Sequence, residues 1–276
     1  MDEADLRLSP SSVTDFKSCP QLFKFRKIDH LPEPVSGAAA RGSLIHAVLE
    51  RLFSEQASAR TPDRAQELLD ALWRQVREDP EFRPAGMGMD EEAAWLKEGR
   101  TLLRNYFKLE DPRALQASEL EWWIEYSLSE VQLRGIIDRL EKRNDGSWVL
   151  TDYKTGRVPG ESRELAAFFG LRFYALVCWR AFGVIPKEIR LVYLADPVVL
   201  TLNPNERMLL AFERQMRALA KAVQRAVQTN DWRTRPSPYC MNCSFQDRCP
   251  AWAGVAAEST ERTETEQTGT GEIAGD

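Results

Sequence analysis

Gly135-Ile136-Ile137-Asp138 and Thr151-Asp152-Tyr153-Lys154 stand on either side of the turn Asn144-Asp145-Gly146. A turn of this kind between two runs rich in β-branched and aromatic residues marks a hairpin. Centred on Asp145, with Arg143 facing Ser147 across a three-residue loop, the pairing joins residues whose numbers sum to 290, so Asp138 stands opposite Asp152. Directly opposed side chains have Cβ atoms about 5 Å apart. Lys154, two residues past Asp152, projects from the same face. Ile136, Leu140 and Leu150 share that face and make it partly buried. Two carboxylates opposed there repel each other unless a proton or a cation lies between them. A hard divalent ion such as Mg2+ or Mn2+ suits such oxygens. A lysine beside it can orient or deprotonate a bound water while the ion stabilises charge on a phosphate. The plain alternative is a surface hairpin with ordinary ion pairs, and a one-residue slip would part the two acids.

Outward from the hairpin, the pattern alternates between helix and strand. Glu119–Tyr126 is alternating and aromatic, and Ile189–Leu194 and Val198–Leu202 read as strands; helices are predicted over 163–182 and 205–228. Upstream, Ser9-Pro10-Ser11-Ser12 starts a helix, and Arg41-Gly42-Ser43 starts another that carries His46. A helical histidine is ordinarily structural. Helical patterns over 63–76 and 90–107 form an insertion of about residues 58–115. On the helix from 205, Arg207, Arg214, Arg217, Lys221 and Arg225 fall within an arc of about 80°, either a solvated face or a phosphate-tracking stripe. Glu258 to Asp276 holds six acids against Arg262, so the net charge of −5 resides in this tail and the body is near neutral. Net charge therefore leaves a nucleic-acid partner open.

Four of the five cysteines are split: Cys19 near the start, then Cys240, Cys243 and Cys249. The opening residues lack a signal peptide's regions and the longest clean apolar run, Phe173–Trp179, is far too short to span a bilayer, so the chain is expected to be cytoplasmic and its cysteines reduced. Four thiolates satisfy one zinc ion or one iron–sulfur cluster, and the spacing does not choose between them. Cys178 sits in an apolar helical run and reads as a core thiol; His30 reads as exposed. No G-x-x-x-x-G-K-[ST] phosphate loop occurs.

Leu8-Ser9-Pro10-Ser11-Ser12, Cys19-Pro20, Arg41-Gly42…His46, Gly135-Ile-Ile-Asp138-Arg139, Asp152-Tyr-Lys154-Thr-Gly156 and the three late cysteines occur in one order across about residues 8 to 252. In this the chain strongly resembles the PD-(D/E)xK nuclease superfamily, in particular its RecB-like exonuclease branch with a four-cysteine iron–sulfur cluster. The resemblance implies that His46, Asp138, Asp152 and the backbone carbonyl of Tyr153 bind a divalent metal and that Lys154 assists the attacking water. It implies a [4Fe–4S] cluster of structural role on Cys19, Cys240, Cys243 and Cys249. Of the branch's Q-x-x-x-Y pair, Tyr174 is present, while Gly170 replaces the glutamine. Glu119 or Glu121 is an auxiliary acid.

The expectation is an α/β chain with a restriction-endonuclease-like core: a central mixed sheet flanked by helices, an inserted helical region, and termini joined by the cluster. Residues 1–254 form one nuclease domain with a cysteine loop over 236–252, and 255–276 an acidic disordered tail. The expected function is metal-dependent hydrolysis of DNA, most simply as an exonuclease on single-stranded ends or flaps, with a helicase or other repair protein as a further partner. The alternatives are a weak or inactive DNA-binding subunit beside a helicase, and a structural zinc module.

Overall fold

Cross-strand pairing in the central hairpin follows the 290 rule: Arg139↔Thr151, Leu140↔Leu150, Glu141↔Val149 and Lys142↔Trp148. This register belongs to a computed structural model that describes residues 6–79, 81–84, 86–160 and 164–252. The hairpin strands are β3 (Val131–Lys142) and β4 (Trp148–Lys154), within a six-stranded mixed sheet. β2 (Glu119–Leu128) runs antiparallel along one edge of β3. The other edge is shared by β1 (Arg7–Leu8), parallel at Gln132 and Leu133, and by β4, antiparallel from Arg139. β3 residues 134–138 therefore have no strand on that edge. β5 (Glu188–Tyr193) follows parallel to β4, and β6 (Val198–Leu202) closes the order antiparallel to β5.

The described residues fall into two compact units. The larger comprises residues up to Ser11 and Pro34–Lys221 and holds the whole sheet. Its helical part is α3 (Gly37–Phe53), α4 (Pro62–Val76) and α5 (Met89–Leu109), numbered after α1 (Pro10–Ser18) and α2 (Pro20–Phe23). Leu44, Ile45, Val48, Leu49 and Leu52 of α3 pack with Leu69, Trp73, Leu103 and Tyr106, and this core extends to Tyr153 and Val192 of the sheet. Trp73 and Trp95 meet at 5.0 Å. The α3 helix begins earlier than the sequence pattern indicates: Ser36 is its N-cap, accepting from Ala39 N–H at 3.2 Å.

A second packing layer comes from α6 (Glu164–Ala167), α7 (Phe169–Phe182) and α8 (Glu206–Thr229). The helix predicted over 163–182 is interrupted at Phe168, and residue 163 lies outside the described residues. Leu171, Phe173, Ala175, Leu176 and Val177 of α7 are buried, as are Leu209, Phe212 and Met216 of α8. Cys178 is fully buried among them, and burial pushes its thiol up to about 12. The predicted basic arc of α8 is exposed, with Arg217 held by Glu213 at 2.6 Å. β1 is the strand that sequence reading does not find, because two residues offer no periodicity to detect.

The smaller unit comprises Ser12–Glu33 and the chain from Ala222. Phe23 is fully buried, edge-on to Phe16 at 5.6 Å and stacked on Trp232 at 6.1 Å. Phe25 meets Phe245 at 5.3 Å. Arg26 bridges Asp15 (2.7 Å) and Glu33 (2.6 Å). The expected acidic tail lies outside the described residues.

Candidate metal centre

The register that aligns Asp138 with Asp152 stops one pair short of them. Instead of continuing the ladder, the Asp138 carboxylate accepts the N–H of Tyr153 at 2.7 Å, so a side chain takes the place of a backbone acceptor. On the other edge of β3 the β2 ladder runs Leu120↔Arg139 and Trp122↔Ile137, skipping the Glu121–Asp138 position between them. There Glu121 has φ +42°, a left-handed conformation that a residue with a Cβ rarely adopts. The distortion lies where two carboxylates face each other.

His46 completes the group. Its Nε2–H donates to the Tyr153 carbonyl at 3.0 Å and its Nδ1 lies 3.5 Å from Asp138 Oδ2. One ligand atom each from His46, Glu121 and Asp138 all lie within 4.8 Å of one another. Burial pushes the Glu121 carboxyl up, Asp138 adds to this, and its pKa reaches about 7. For His46, burial opposes the charged form, but Asp138, Asp152 and Glu121 outweigh it and raise the imidazole to about 9. Between Glu119 and Glu121, geometry selects Glu121; Glu119 points to Lys142 at 3.7 Å. Glu121 thus stands with His46 and Asp138, a placement no sequence spacing announces.

Asp152 is buried and lies outside that 4.8 Å group. Its two oxygens take the Lys154 ammonium at 2.7 and 2.8 Å. Burial pulls the Lys154 ammonium down, yet Asp152 outweighs it and the net shift is upward, so Lys154 is charged at neutral pH. Tyr174 of α7 reaches β3 at Gly135: a Cβ on residue 135 would collide with the Tyr174 ring, which is why this strand position is glycine. At Gly170 an added Cβ would meet Pro10 Cβ at 3.8 Å, an ordinary contact.

Behind the group lies a charged side chain that sequence reading passes over. Arg139 is fully buried; it forks onto Glu110 with two bonds of 2.8 Å, reaches Glu141 at 3.0 Å and donates to the Tyr153 hydroxyl. The Phe53 ring covers its guanidinium at 4.8 Å. Tyr153 is thereby fixed at its side chain by Arg139, at its N–H by Asp138 and at its carbonyl by His46. The flanking Asp152 and Lys154 inherit that orientation. A basic residue beside Asp138 in the motif was the available signal, but nothing local says that it points inward.

In the smaller unit, Cys19, Cys240, Cys243 and Cys249 line one cavity of about 410 Å³ with Gln21, Phe25 and Trp252 among its walls. Two short 3₁₀ turns, Pro238–Asn242 and Gln246–Arg248, present the late cysteines. Among the described residues no three of their sulfurs lie within 4.8 Å of one another. Burial and the neighbouring sulfurs both raise the Cys249 thiol.

The family profile of the PD-(D/E)XK nuclease superfamily matches residues 7–250. The chain belongs to the PD-(D/E)XK nuclease superfamily. Among solved structures, SSO0001 is 15% identical, with 91% of this chain and 88% of that chain covered at a TM-score of 0.41. A candidate exonuclease from Eubacterium rectale is 10% identical, with 88% and 94% covered at a TM-score of 0.46. No curated protein matches the sequence. PD-(D/E)XK nucleases use divalent metals, and the donor set here suits one: two opposed carboxylates, an imidazole and a backbone carbonyl, rich in hard oxygen. Burial and the facing Asp138 both raise the Glu121 carboxyl, the direction expected of opposed acids that lack a compensating cation. No helix among the described residues is long and apolar enough to cross a membrane.

Proposed function

We propose that the protein is a divalent-metal-dependent deoxyribonuclease that hydrolyses DNA phosphodiesters, acting as a RecB-like exonuclease on single-stranded ends or flaps in repair and recombination. The observation that carries this reading is the convergence of His46, Glu121 and Asp138 within 4.8 Å, next to the Asp152–Lys154 pair. His46, Glu121, Asp138 and the Tyr153 carbonyl would hold Mg2+ or Mn2+, with Asp152 beside them. When bound, the ion supplies Lewis-acid charge to a phosphate oxygen and acidity to a coordinated water.

The chain's own residues supply position and charge. Lys154, as an ammonium held by Asp152, orients the attacking water and meets the negative charge that grows on the phosphate. It is an unsuitable proton acceptor in that state, so the water's proton leaves to solvent or to a carboxylate. As water's oxygen bonds to phosphorus, the bond to the leaving oxygen breaks, and a water molecule protonates it. Asp138 holds Tyr153 N–H, keeping the end of β4 that carries Asp152 and Lys154 in place during the reaction.

Four cysteines around one cavity would hold a [4Fe–4S] cluster of structural role. Four thiolates also satisfy zinc; the family resemblance is what favours the cluster, and iron or zinc content of the purified protein decides between them.

The test uses protein purified without oxygen and end-labelled single- and double-stranded DNA with Mn2+ or Mg2+. Wild type is expected to shorten single strands, and Asp138→Asn is expected to cut at least 100-fold more slowly while remaining folded. Equal cutting by wild type and Asp138→Asn would overturn the site. Binding without cutting by both would instead identify a non-catalytic subunit.

A further inference from the structure

Beyond the metal group, over residues 122–128 of β2 and 131–137 of β3, the hairpin is buried on one face. Ile124, Leu128, Leu133 and Ile137 are buried, Trp122 packs on Phe182 of α7 at 5.1 Å, and Gly135 lies against Tyr174. The opposite face is open. Trp123 is 51% exposed and its direct cross-strand partner Ile136 is 40% exposed. Arg134 stands opposite Glu125, an arrangement in which antiparallel strands ordinarily form an ion pair. Among the described residues no such pair forms; the Arg134 guanidinium lies over the Trp123 ring at 5.7 Å. The cation thus turns along the hairpin toward Glu121 and Asp138.

Trp123 and Ile136 are each two residues from Glu121 and Asp138, about 7 Å along the strands. That is within one to two nucleotides of a phosphate held at the metal group, at about 3.4 Å per stacked nucleotide. The group also opens into a cavity of about 350 Å³ lined by His46 and Glu121 together with Ser43, Glu50 and Phe82.

We infer that Trp123, with Ile136 and Arg134, is a stacking platform for one unpaired nucleobase next to the scissile phosphate. The inference rests on the nuclease reading and extends it by giving a cause for single-strand selection. A base inside a duplex has both faces covered by its neighbours and offers none to Trp123, whereas an unpaired base does. Arg134 contributes a cation to the ring and to the adjoining phosphate.

The experiment measures anisotropy of labelled oligo-dT with the full chain in Ca2+, and cleavage in Mn2+, using oligonucleotides in which a single abasic site is walked along the strand. Wild type is expected to lose roughly tenfold in affinity at one abasic position, the scale of one base–aromatic stack. Trp123→Ala is expected to lose that factor on intact DNA and to show no further loss at that position. Trp123→Phe is expected to restore the dependence. If wild type cuts and Trp123→Ala matches it with the same abasic profile, the platform is wrong and the nuclease stands. If wild type neither binds nor cuts, both fall. If Trp123→Ala instead turns a dimer into a monomer with the abasic profile unchanged, the face belongs to a second copy and the inference is overturned.

Discussion

At Glu121, the third residue of β2, the backbone leaves the extended region with φ +42°. A left-handed non-glycine residue costs on the order of 1 kcal/mol or more and persists where its surroundings enforce it. Here the return is a carboxylate brought against Asp138 and His46. In the metal-free chain that carboxylate is costly, since burial and Asp138 lift its pKa from 4.5 to about 7. A carboxyl whose folded pKa exceeds its unfolded value favours the folded state fully below pH 4.5, and the benefit is lost as pH rises to about 7. Chelator-treated wild type is therefore expected to lose melting temperature between pH 4.5 and 7 relative to Glu121→Gln, which has no such proton to lose. Mn2+ reverses the order: it needs the deprotonated acid and binds wild type more tightly as pH rises, and Glu121→Gln is expected to bind it 10- to 100-fold more weakly. Calorimetry on both proteins at pH 5.5 and 7.5 checks the two signs. A wild type whose melting difference from Glu121→Gln is flat across that range would remove the buried-acid account.

Among the elements, the β3–β4 hairpin was legible because its turn fixes its register: a three-residue loop centred on Asp145 leaves one alignment, and four observed pairs obey it. The same reasoning failed at its last step. It set Asp152 against Asp138 as backbone partners, but Asp138 uses its carboxylate on Tyr153 N–H, and Asp152 turns to Lys154. Periodicity describes a ladder and is silent where a side chain replaces a backbone bond. His46 was picked out by family resemblance, and the structure brings it beside Asp138; Arg139 was not recognised as buried, because a strand's alternation cannot show that a guanidinium will find Glu110 from the end of α5. That fork has a measurable consequence. Removing one partner of a buried ion pair leaves the other uncompensated and costs about 3–5 kcal/mol, whereas replacing both with apolar groups costs far less. Arg139→Met is expected to lower stability by that amount, and Arg139→Met with Glu110→Leu to recover only part of it because Glu141 loses the same cation, measured by urea unfolding. Equal losses in single and double variants would mean that packing, not charge, sets the cost.

On the scale of the whole molecule, the cysteines and the carboxylates belong to separate compact units, which divides what each can be asked to do. Cys19 comes from the N-terminal part of the chain and Cys240, Cys243 and Cys249 from the C-terminal part, so a cluster on all four would crosslink the smaller unit across more than two hundred residues of sequence. Among the described residues of that unit the large buried side chains are Phe16, Phe23, Phe25 and Phe245, a small core for joining two distant stretches of chain. A metal bound only by the folded state adds its binding free energy to stability. Cys19→Ser is therefore expected to lose iron and visible absorbance and to expose residues 12–33 and 222–252 to protease, with the sheet-bearing unit persisting as a resistant fragment. Asp152→Ala leaves these interactions untouched. It is expected to keep its iron, its absorbance and its protease pattern while losing at least 100-fold in cleavage. Limited proteolysis and iron content measured side by side separate the two roles. A Cys19→Ser protein as protease-resistant as wild type would show that the smaller unit holds together without the cluster.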